Sequence, residues 1–311
     1  MLQGRAFAVT GGAGFIGRHL VERLVREGAG RVLVLDRRAD DARAALGGLS
    51  RVIEIHEVIL GATPAARIAP RLAGIDGLFH LAAEKHAGGA DPAALLTANV
   101  LGTEALLDAA AAARVRRVVF ASSLYAYGPS SGAPLEESEP PHPATVYGIS
   151  KIAGELLAAR FARATGAEAT VLRYFFVHGP GQAAEGRPSL ITGTFERLAR
   201  GESPVLRGDG AQRLDYVYID DVIEATVRAM AHARAGLTLN VGTGRALPVR
   251  DLVRAMQEVA GTRLPVLEDP ADDTAGTCRV ASVDLAERAL GFRARTSVEE
   301  GLARTWAARR A

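Results

Sequence analysis

The sequence predicts an α/β fold, a Rossmann-type doubly wound parallel sheet with a smaller C-terminal substrate-binding lobe. Apolar runs of strand length alternate with helix-length amphipathic stretches through the first half of the chain, as helices on both faces of a parallel sheet require. A glycine-rich turn joins the first apolar run to the first amphipathic stretch. The second half contains similar segments in a less regular order, which indicates a lobe folded against the sheet.

The elements are predicted from periodicity and from the turn residues that bound each run. Strands are predicted over 5–10, 31–36, 51–58, 78–82, 117–122 and 169–174. Helices are predicted over 14–27, 92–113 and 147–165, and alanine, the best helix former, is abundant in the last two. Later helices are predicted near 190–200, 220–232, 249–260 and 297–308, with short strands near Val205 and at 237–241.

Composition excludes several classes of function. The 311 residues include 37 basic and 35 acidic side chains, and a formal net charge of +2 is too balanced for a dedicated nucleic-acid or membrane binder. One cysteine cannot form an internal disulfide, and no histidine or cysteine pattern has metal-ligand spacing, so we expect no metal and a cytoplasmic location. No uncharged apolar run reaches the length of about 18 residues that a membrane span needs, and no signal peptide is expected.

The basic residues are unevenly divided between the two types. Arginine accounts for 35 of them, and only Lys85 and Lys151 are lysines, beside 59 alanines. This bias is typical of a GC-rich genome, in which arginine replaces lysine wherever a plain surface charge suffices. The two remaining lysines therefore mark positions where a planar guanidinium is a poor replacement for a compact ammonium.

The segment from Thr10 to Gly17 reads TGGAGFIG and lies between the first predicted strand and helix. Glycine lets the turn tighten and lets backbone amides approach a pyrophosphate, which then sits at the positive end of the helix. Asp36 ends the second strand, where a carboxylate accepts hydrogen bonds from ribose hydroxyls and repels a 2'-phosphate. We therefore predict NAD, whereas Arg37 and Arg38 would admit NADP if Asp36 turned away.

This motif divides the chain into two predicted parts. We assign residues 1–172 to a dinucleotide-binding Rossmann domain, to which residues 215–245 return. Residues 173–214 and 246–311 form the predicted substrate-binding lobe.

Tyr147 and Lys151 lie at i and i+4, on one face of a predicted helix. A fixed cation favours phenolate and lowers the pKa of a neighbouring tyrosine, so the pair can remove a proton from an alcohol while hydride leaves to a nicotinamide. Ser123, at the end of the fifth strand, is the expected third member and hydrogen-bonds the substrate oxygen. These three residues are the predicted catalytic group.

These motifs resemble those of the extended short-chain dehydrogenase/reductases in the NAD-dependent epimerase/dehydratase family, closest in pattern to its UDP-galactose 4-epimerases. The matching blocks run in family order along nearly the whole chain. They are TGGAGFIG at 10–17, HLAA at 80–83, NVLGT at 99–103, SSLYAYG at 122–128, YGISK at 147–151, LRYFFVHGPGQ at 172–182 and DYVYIDDV at 215–222.

The resemblance implies two sets of ligand contacts. The NAD site would be lined by Gly11, Gly14, Phe15, Ile16, Gly17, Asp36, Arg37, Glu57, Val58, Leu81, Ala82, Ala83, Lys85, Asn99, Ser122, Tyr147, Lys151 and Phe175. The sugar substrate would be contacted by Ser123, Tyr125, Tyr147, Phe176, Ser189, Leu190, Arg207, Arg213 and Asp269.

The substrate positions depart from the family pattern. Nucleotide-sugar enzymes of the family usually have asparagine in place of Phe176, arginine in place of Leu214, and an arginine where the best ungapped match here is Asp269. Because these changes weaken a diphosphate site, a non-nucleotide or amino sugar becomes an alternative to a nucleotide sugar. Arg207 and Arg213 could compensate for the lost cations.

The activity predicted first is an epimerase with transient oxidation and internal return of the hydride. Dehydratases of the family have acidic residues directly after the serine or threonine, where this chain has Leu124 and Tyr125. An NAD-dependent dehydrogenase or reductase with net hydride transfer is the alternative, and a non-catalytic NAD sensor is a third reading. The resemblance also implies a homodimer, formed through the helices predicted at 92–113 and 147–165.

Overall fold

The computed structural model describes residues 2–85, 91–130, 132, 134–182, 189–234, 236–270 and 276–309. Its strands in chain order are β1 Ala6–Thr10, β2 Arg31–Asp36, β3 Ile53–Glu57, β4 Gly77–His80, β5 Arg117–Ser123, β6 Glu168–Tyr174, β7 Phe176–His178, β8 Val205–Arg207, β9 Arg213–Leu214, β10 Tyr216–Tyr218, β11 Leu237–Val241, β12 Leu247–Pro248, β13 Leu267–Asp269 and β14 Cys278–Arg279. Seven of them form one parallel sheet in the order β11-β6-β5-β4-β1-β2-β3. The predicted fold class is confirmed.

Helices cover both faces of this sheet. They are α1 Phe15–Arg26, α2 Ala39–Leu46, α3 Ala65–Ile68, α4 Pro92–Leu96, α5 Gly102–Ala112, α6 Val146–Thr165, α7 Leu190–Ala199, α8 Ile219–Ala231, α9 Val249–Ala260, α10 Asp284–Leu290 and α11 Val298–Ala307. One core layer packs the apolar stripes of α1 and α8 on the sheet, and a second packs α5 and α6 on the opposite face. The six strands predicted in the first half are correct to within two residues.

The helix predicted over 92–113 is confirmed as Pro92–Ala112, and it contains a π-helical turn, Thr97–Leu101, between α4 and α5. Single π turns inside α-helices are frequent at functional sites. The stretch Pro92–Ala112 is apolar enough to cross a membrane by length and composition alone, and 44% of it is buried inside the protein. It contains Glu104 and Asp108, and α5 packs against α6. The apolar side chains of this stretch are therefore explained by packing within the fold.

A separate core belongs to the C-terminal lobe. There α7, α9 and α11 pack around Phe195 and Trp306, whose ring centroids are 5.1 Å apart. Three small sheets, β7–β10, β8–β13 and β12–β9–β14, link this lobe to the main sheet. Strand β11 lies at the edge of the main sheet beside β6. The domain boundaries given above stay a prediction.

Candidate active site

The candidate site lies at the carboxyl ends of the parallel strands, where the strand order reverses. Strand β1 lies between β4 and β2, and such a switch point opens a crevice for a ligand. The amides of Leu81 and Ala82, directly after β4, donate to the backbone oxygen of Thr10 at 3.3 Å and to its Oγ1 at 3.2 Å. The glycine-rich turn and residues 81–85 therefore form the two sides of one crevice.

The turn has no room for side chains. Gly11 has a φ of +74°, and a Cβ there would lie 2.8 Å from the backbone of Ala82. A Cβ at Gly17 would overlap the carbonyl oxygen of Gly11. Helix α1 begins at Phe15, and its N-cap residue, Gly14, has no side chain that could cap the first amides of the helix. This cradle fits a pyrophosphate, as the NAD prediction requires.

Asp36 is buried at the end of β2. Its Oδ2 accepts an amide of the glycine-rich turn at 2.8 Å, and its Oδ1 accepts the Arg38 amide at 2.9 Å. A carboxylate oxygen has a second lone pair, which stays available to a ribose hydroxyl. Arg37 pairs with Glu84, and Arg38 with Asp41 at 3.6 Å, so both guanidinium groups that could accept a 2'-phosphate face carboxylates. The geometry fits NAD better than NADP.

Three other predicted cofactor residues lie at strand ends. Glu57 is exposed and is the register partner of Asp36, and buried Val58 donates its amide to the Asp36 oxygen at 3.1 Å. Phe175 is buried, and its amide donates to the oxygen of Val241 at 3.0 Å. These residues surround the carboxyl edge of the sheet on both sides of the crevice.

Asn99 and Ser122 use their side chains within the protein. Asn99, in the π turn, accepts the Glu84 amide at 2.7 Å and donates to the Glu84 oxygen at 2.9 Å and to Ser150 at 3.0 Å. The Ser122 hydroxyl donates to Glu155 on α6. Both amide hydrogens of Asn99 are bonded within the protein, so Asn99 fixes the loop after β4, and its predicted contact with the cofactor stays a prediction.

The predicted catalytic residues come together at the start of α6. Thr145 caps this helix by accepting the Gly148 amide at 3.0 Å, which places Tyr147 in the first turn. The Ser123 side chain is near enough to the Tyr147 phenol to lower its pKa, against the larger effect of burial. The ring of Tyr125 meets that of Tyr147 edge to face, with centroids 5.9 Å apart. Ser123, Tyr125 and Tyr147 therefore form one group.

Lys151 is buried one turn further along α6. Its Nζ donates to the Ala121 oxygen at 2.8 Å and lies 5.5 Å from the Tyr147 ring centroid. Desolvation and the charge of Lys85 lower the pKa of Lys151 to about 7, against the opposing charge of Glu155. The expected lowering of the Tyr147 pKa is wrong for this structure, because burial of the phenol raises that pKa more than the Ser123 side chain lowers it.

A buried ion pair lies behind the catalytic helix, and the sequence reasoning missed it. Glu155 on α6 accepts two hydrogen bonds from Arg173 on β6, at 2.9 and 2.8 Å. The Arg173 guanidinium also covers the Tyr127 ring at 4.6 Å, and Tyr127 donates to Asn240 at 2.8 Å. The spacing of Glu155 from Lys151, again i and i+4, was the available signal.

Three predicted substrate residues serve the packing of the C-terminal lobe. Ser189 is the N-cap of α7 and accepts the Thr192 amide at 3.2 Å. Leu190 packs against the core of the lobe, and the ring of Phe176 lies 5.6 Å from that of Tyr216. The Ser189 hydroxyl and the Leu190 side chain thus have structural roles, and their assignment as substrate contacts stays a prediction.

The charged substrate residues lie on the small sheets. Arg207 on β8 and Arg213 on β9 are exposed, and neither forms an ion pair within the described ranges. Asp269 on β13 is the register partner of Arg207. No contact within the described ranges joins these three to the Ser123–Tyr147 pair. Arg279 on β14, by contrast, lies against Tyr125, and nothing in its local sequence marked it.

Comparisons with known proteins agree with this geometry. The family model of the NAD dependent epimerase/dehydratase family matches residues 7–242. A UDP-glucose 4-epimerase from Mycolicibacterium smegmatis is 33% identical over 307 residues, with 96% of each chain covered. The crystal structure of a UDP-glucose 4-epimerase from Thermotoga maritima with UDP-glucose is 32% identical, with a TM-score of 0.89 and 98% of each chain covered. MoeE5 in complex with UDP-glucuronic acid and NAD is 33% identical, with a TM-score of 0.82, 98% of this chain and 99% of that one covered.

Proposed function

The chain belongs to the NAD-dependent epimerase/dehydratase family, and from this premise we propose that it inverts a hydroxyl-bearing carbon of a nucleotide sugar. NAD is the cofactor, held between the glycine-rich turn, Asp36 and the strand ends. Held there, NAD would supply reversible hydride chemistry at the sugar carbon.

The residues of this chain supply the proton chemistry. Tyr147 takes the proton of the sugar hydroxyl and later gives it back, and Ser123 orients both the phenol and the sugar oxygen. Because burial raises the pKa of Tyr147, the phenol works as a base only with positive charge beside it. The buried ammonium of Lys151, anchored to the Ala121 oxygen, is placed to supply that charge.

One observation favours an epimerase over the dehydratases of the same family. The two residues after Ser123 are Leu124, which is buried, and Tyr125, which packs on Tyr147. Expelling water from a sugar requires a further acid beside the reacting carbon. With apolar and aromatic side chains at these positions, the site supports oxidation and reversal but not elimination.

The test is direct interconversion. Purified protein with NAD should convert UDP-galactose to UDP-glucose, measured by chromatography, without accumulating NADH. Tyr147→Phe should lower the rate by at least about 100-fold. Tyr174→Phe is the matched control, because that buried hydroxyl bonds to Thr226 in the core at 2.8 Å. NADH that grew with sugar consumed would establish the dehydrogenase alternative instead.

Failure to turn over either UDP-hexose, with NAD binding intact, would redirect the search to the amino-sugar alternative. In that case the weakened diphosphate positions at Phe176 and Leu214 would have decided the substrate. An amino sugar converted under the same conditions would establish that reading.

We also propose a homodimer. Leu96 and Leu101 in the stretch 92–112, and Ile149 and Leu156 on α6, are exposed apolar side chains on two neighbouring helices, and Leu156 is 66% exposed. Apolar side chains grouped in this way are typical of protein interfaces. A twofold contact that pairs both helices with those of a second copy would cover all four.

A further inference from the structure

Arg279 has a rigid backbone beside the reacting group. Strand β14 pairs in parallel with β9, so Arg279 is the register partner of Leu214. Its carbonyl oxygen accepts the Asp215 amide at 3.1 Å, and the Cys278 amide donates to the Ser130 oxygen at 2.8 Å. The next two residues, Val280 and Ala281, are buried. The root of the Arg279 side chain is therefore fixed.

The guanidinium of Arg279 lies over the ring of Tyr125, 5.3 Å from its centroid. Tyr125 in turn packs edge to face on Tyr147. One tyrosine ring thus separates this cation from the phenol that we assign as the acid and base. A sugar held by Tyr147 would have its substituents within reach of Arg279.

Among the residues that the structure describes, the Arg279 head group has no counter-charge. Its Nε is buried and has no hydrogen-bond partner, and no carboxylate in the described residues forms an ion pair with it. Arg173, the other arginine stacked on a tyrosine of this region, has the Glu155 carboxylate as its counter-charge through two hydrogen bonds, although its Nη1 has no hydrogen-bond partner. A buried donor without an acceptor is costly, so an unpartnered guanidinium at a site is explained by a ligand that supplies the acceptor.

We propose that Arg279 binds an oxyanion of the sugar substrate, a carboxylate on the sugar or a phosphate of its nucleotide diphosphate. This deepens the proposed function and rests on it, and it opposes a cationic amino sugar, which Arg279 would repel. Arginine suits the task because its planar fork matches both oxyanions with two parallel hydrogen bonds.

The test is calorimetric binding to NAD-saturated protein, with UDP, UDP-glucose and UDP-glucuronate as probes. If the oxyanion is a phosphate, Arg279→Gln should weaken all three about 10- to 100-fold. If it is a carboxylate, only UDP-glucuronate should weaken by this factor, and the other two should stay within about twofold. Arg279→Lys, which keeps the charge without the fork, should fall between wild type and Arg279→Gln.

Arg263→Gln is the matched control, because Arg263 is an exposed arginine without an ion pair in the part of the chain that the structure describes. Unchanged affinity of Arg279→Gln for all three probes would overturn the proposal, and so would wild-type protein that bound none of them. Binding that depends on Arg279, together with absence of UDP-hexose interconversion, would count against UDP-hexose epimerisation while the anion site stood.

Discussion

Removing the charge of Glu155 perturbs a buried ion pair directly behind the catalytic helix. Glu155 and Arg173 are 11% and 6% exposed, and two hydrogen bonds join them. Glu155→Gln keeps the volume but leaves the Arg173 charge with one amide oxygen and the Tyr127 ring as acceptors. Breaking a buried pair costs about 3–5 kcal/mol, and these remaining acceptors place the variant near about 3 kcal/mol.

This loss of unfolding free energy corresponds to a fall in the melting temperature, Tm. An unfolding entropy of about 2.1 cal/mol/K per residue amounts to about 0.65 kcal/mol/K for this chain, so Tm should fall by roughly 5 °C. Glu54→Gln is the matched control, because Glu54 accepts the same two-bond fork from Arg31, at 3.0 and 2.9 Å, with its side chain 46% exposed. An exposed pair contributes about 0.2–1 kcal/mol, so this control should lose about 1.5 °C or less.

Scanning calorimetry of both variants measures the difference. A second readout separates a positioning role from general damage: the Glu155 carboxylate raises the pKa of Lys151, so its removal should lower that pKa further below about 7. NAD affinity should then begin to weaken at a lower pH than in the wild type. Equal melting temperatures for the two variants, within about 1 °C, would refute the reasoning.

Three further predictions concern the crevice and the helices. Gly11→Ala should cost about 2–5 kcal/mol and abolish NAD binding, whereas Gly74→Ala, with nearly the same φ of +73° and open space around it, should cost about 1–2 kcal/mol in urea unfolding. Similar losses for the two would contradict the close approach seen at the turn. Lys151 is a predicted NAD contact and carries its positive charge below its pKa of about 7. Because loss of that charge should weaken the contact, NAD affinity should fall as pH rises through that value. Lys85→Met removes a charge that lowers the pKa of Lys151, so in this variant NAD affinity should begin to weaken at a higher pH. NAD binding measured between pH about 6 and 9 tests this, and an unchanged onset would count against the coupling of the two lysines. Leu156→Glu should yield monomers by light scattering, and a retained dimer would exclude the proposed interface.

The first half of the fold was predictable because its strands are buried on both faces. Such strands are continuous apolar runs, and the glycine-rich turn locates the first one. The sequence analysis missed the short strands β7, β9, β10, β12, β13 and β14, because two or three residues carry no periodicity. Their existence depends on partners far along the chain, as in the pairing of β14 with β9.

Some features of the candidate site were likewise predictable from the sequence, and others were not. Ser123 and Tyr147 were predicted together because strand ends and helix starts meet at the carboxyl edge of a parallel sheet, and in the structure Ser123 is near enough to affect the pKa of Tyr147. The pKa of Tyr147 could not be predicted from the neighbouring lysine alone, because burial opposes the effect of charge. Arg279 had no local signal, since only the β14–β9 pairing brings it to Tyr125.

The same balance of burial and charge explains why lysine persists at position 151 in a chain otherwise rich in arginine. Lys151 is 3% exposed, and its Nζ lies 5.2 Å from the Phe120 ring and 5.5 Å from the Tyr147 ring. An ammonium there can release its proton near neutral pH, because desolvation and Lys85 lower its pKa to about 7. A guanidinium stays charged at every physiological pH and would need a permanent counter-charge. The carboxylate one turn away, Glu155, is already paired with Arg173, so exchange to arginine is opposed by electrostatics as well as by shape.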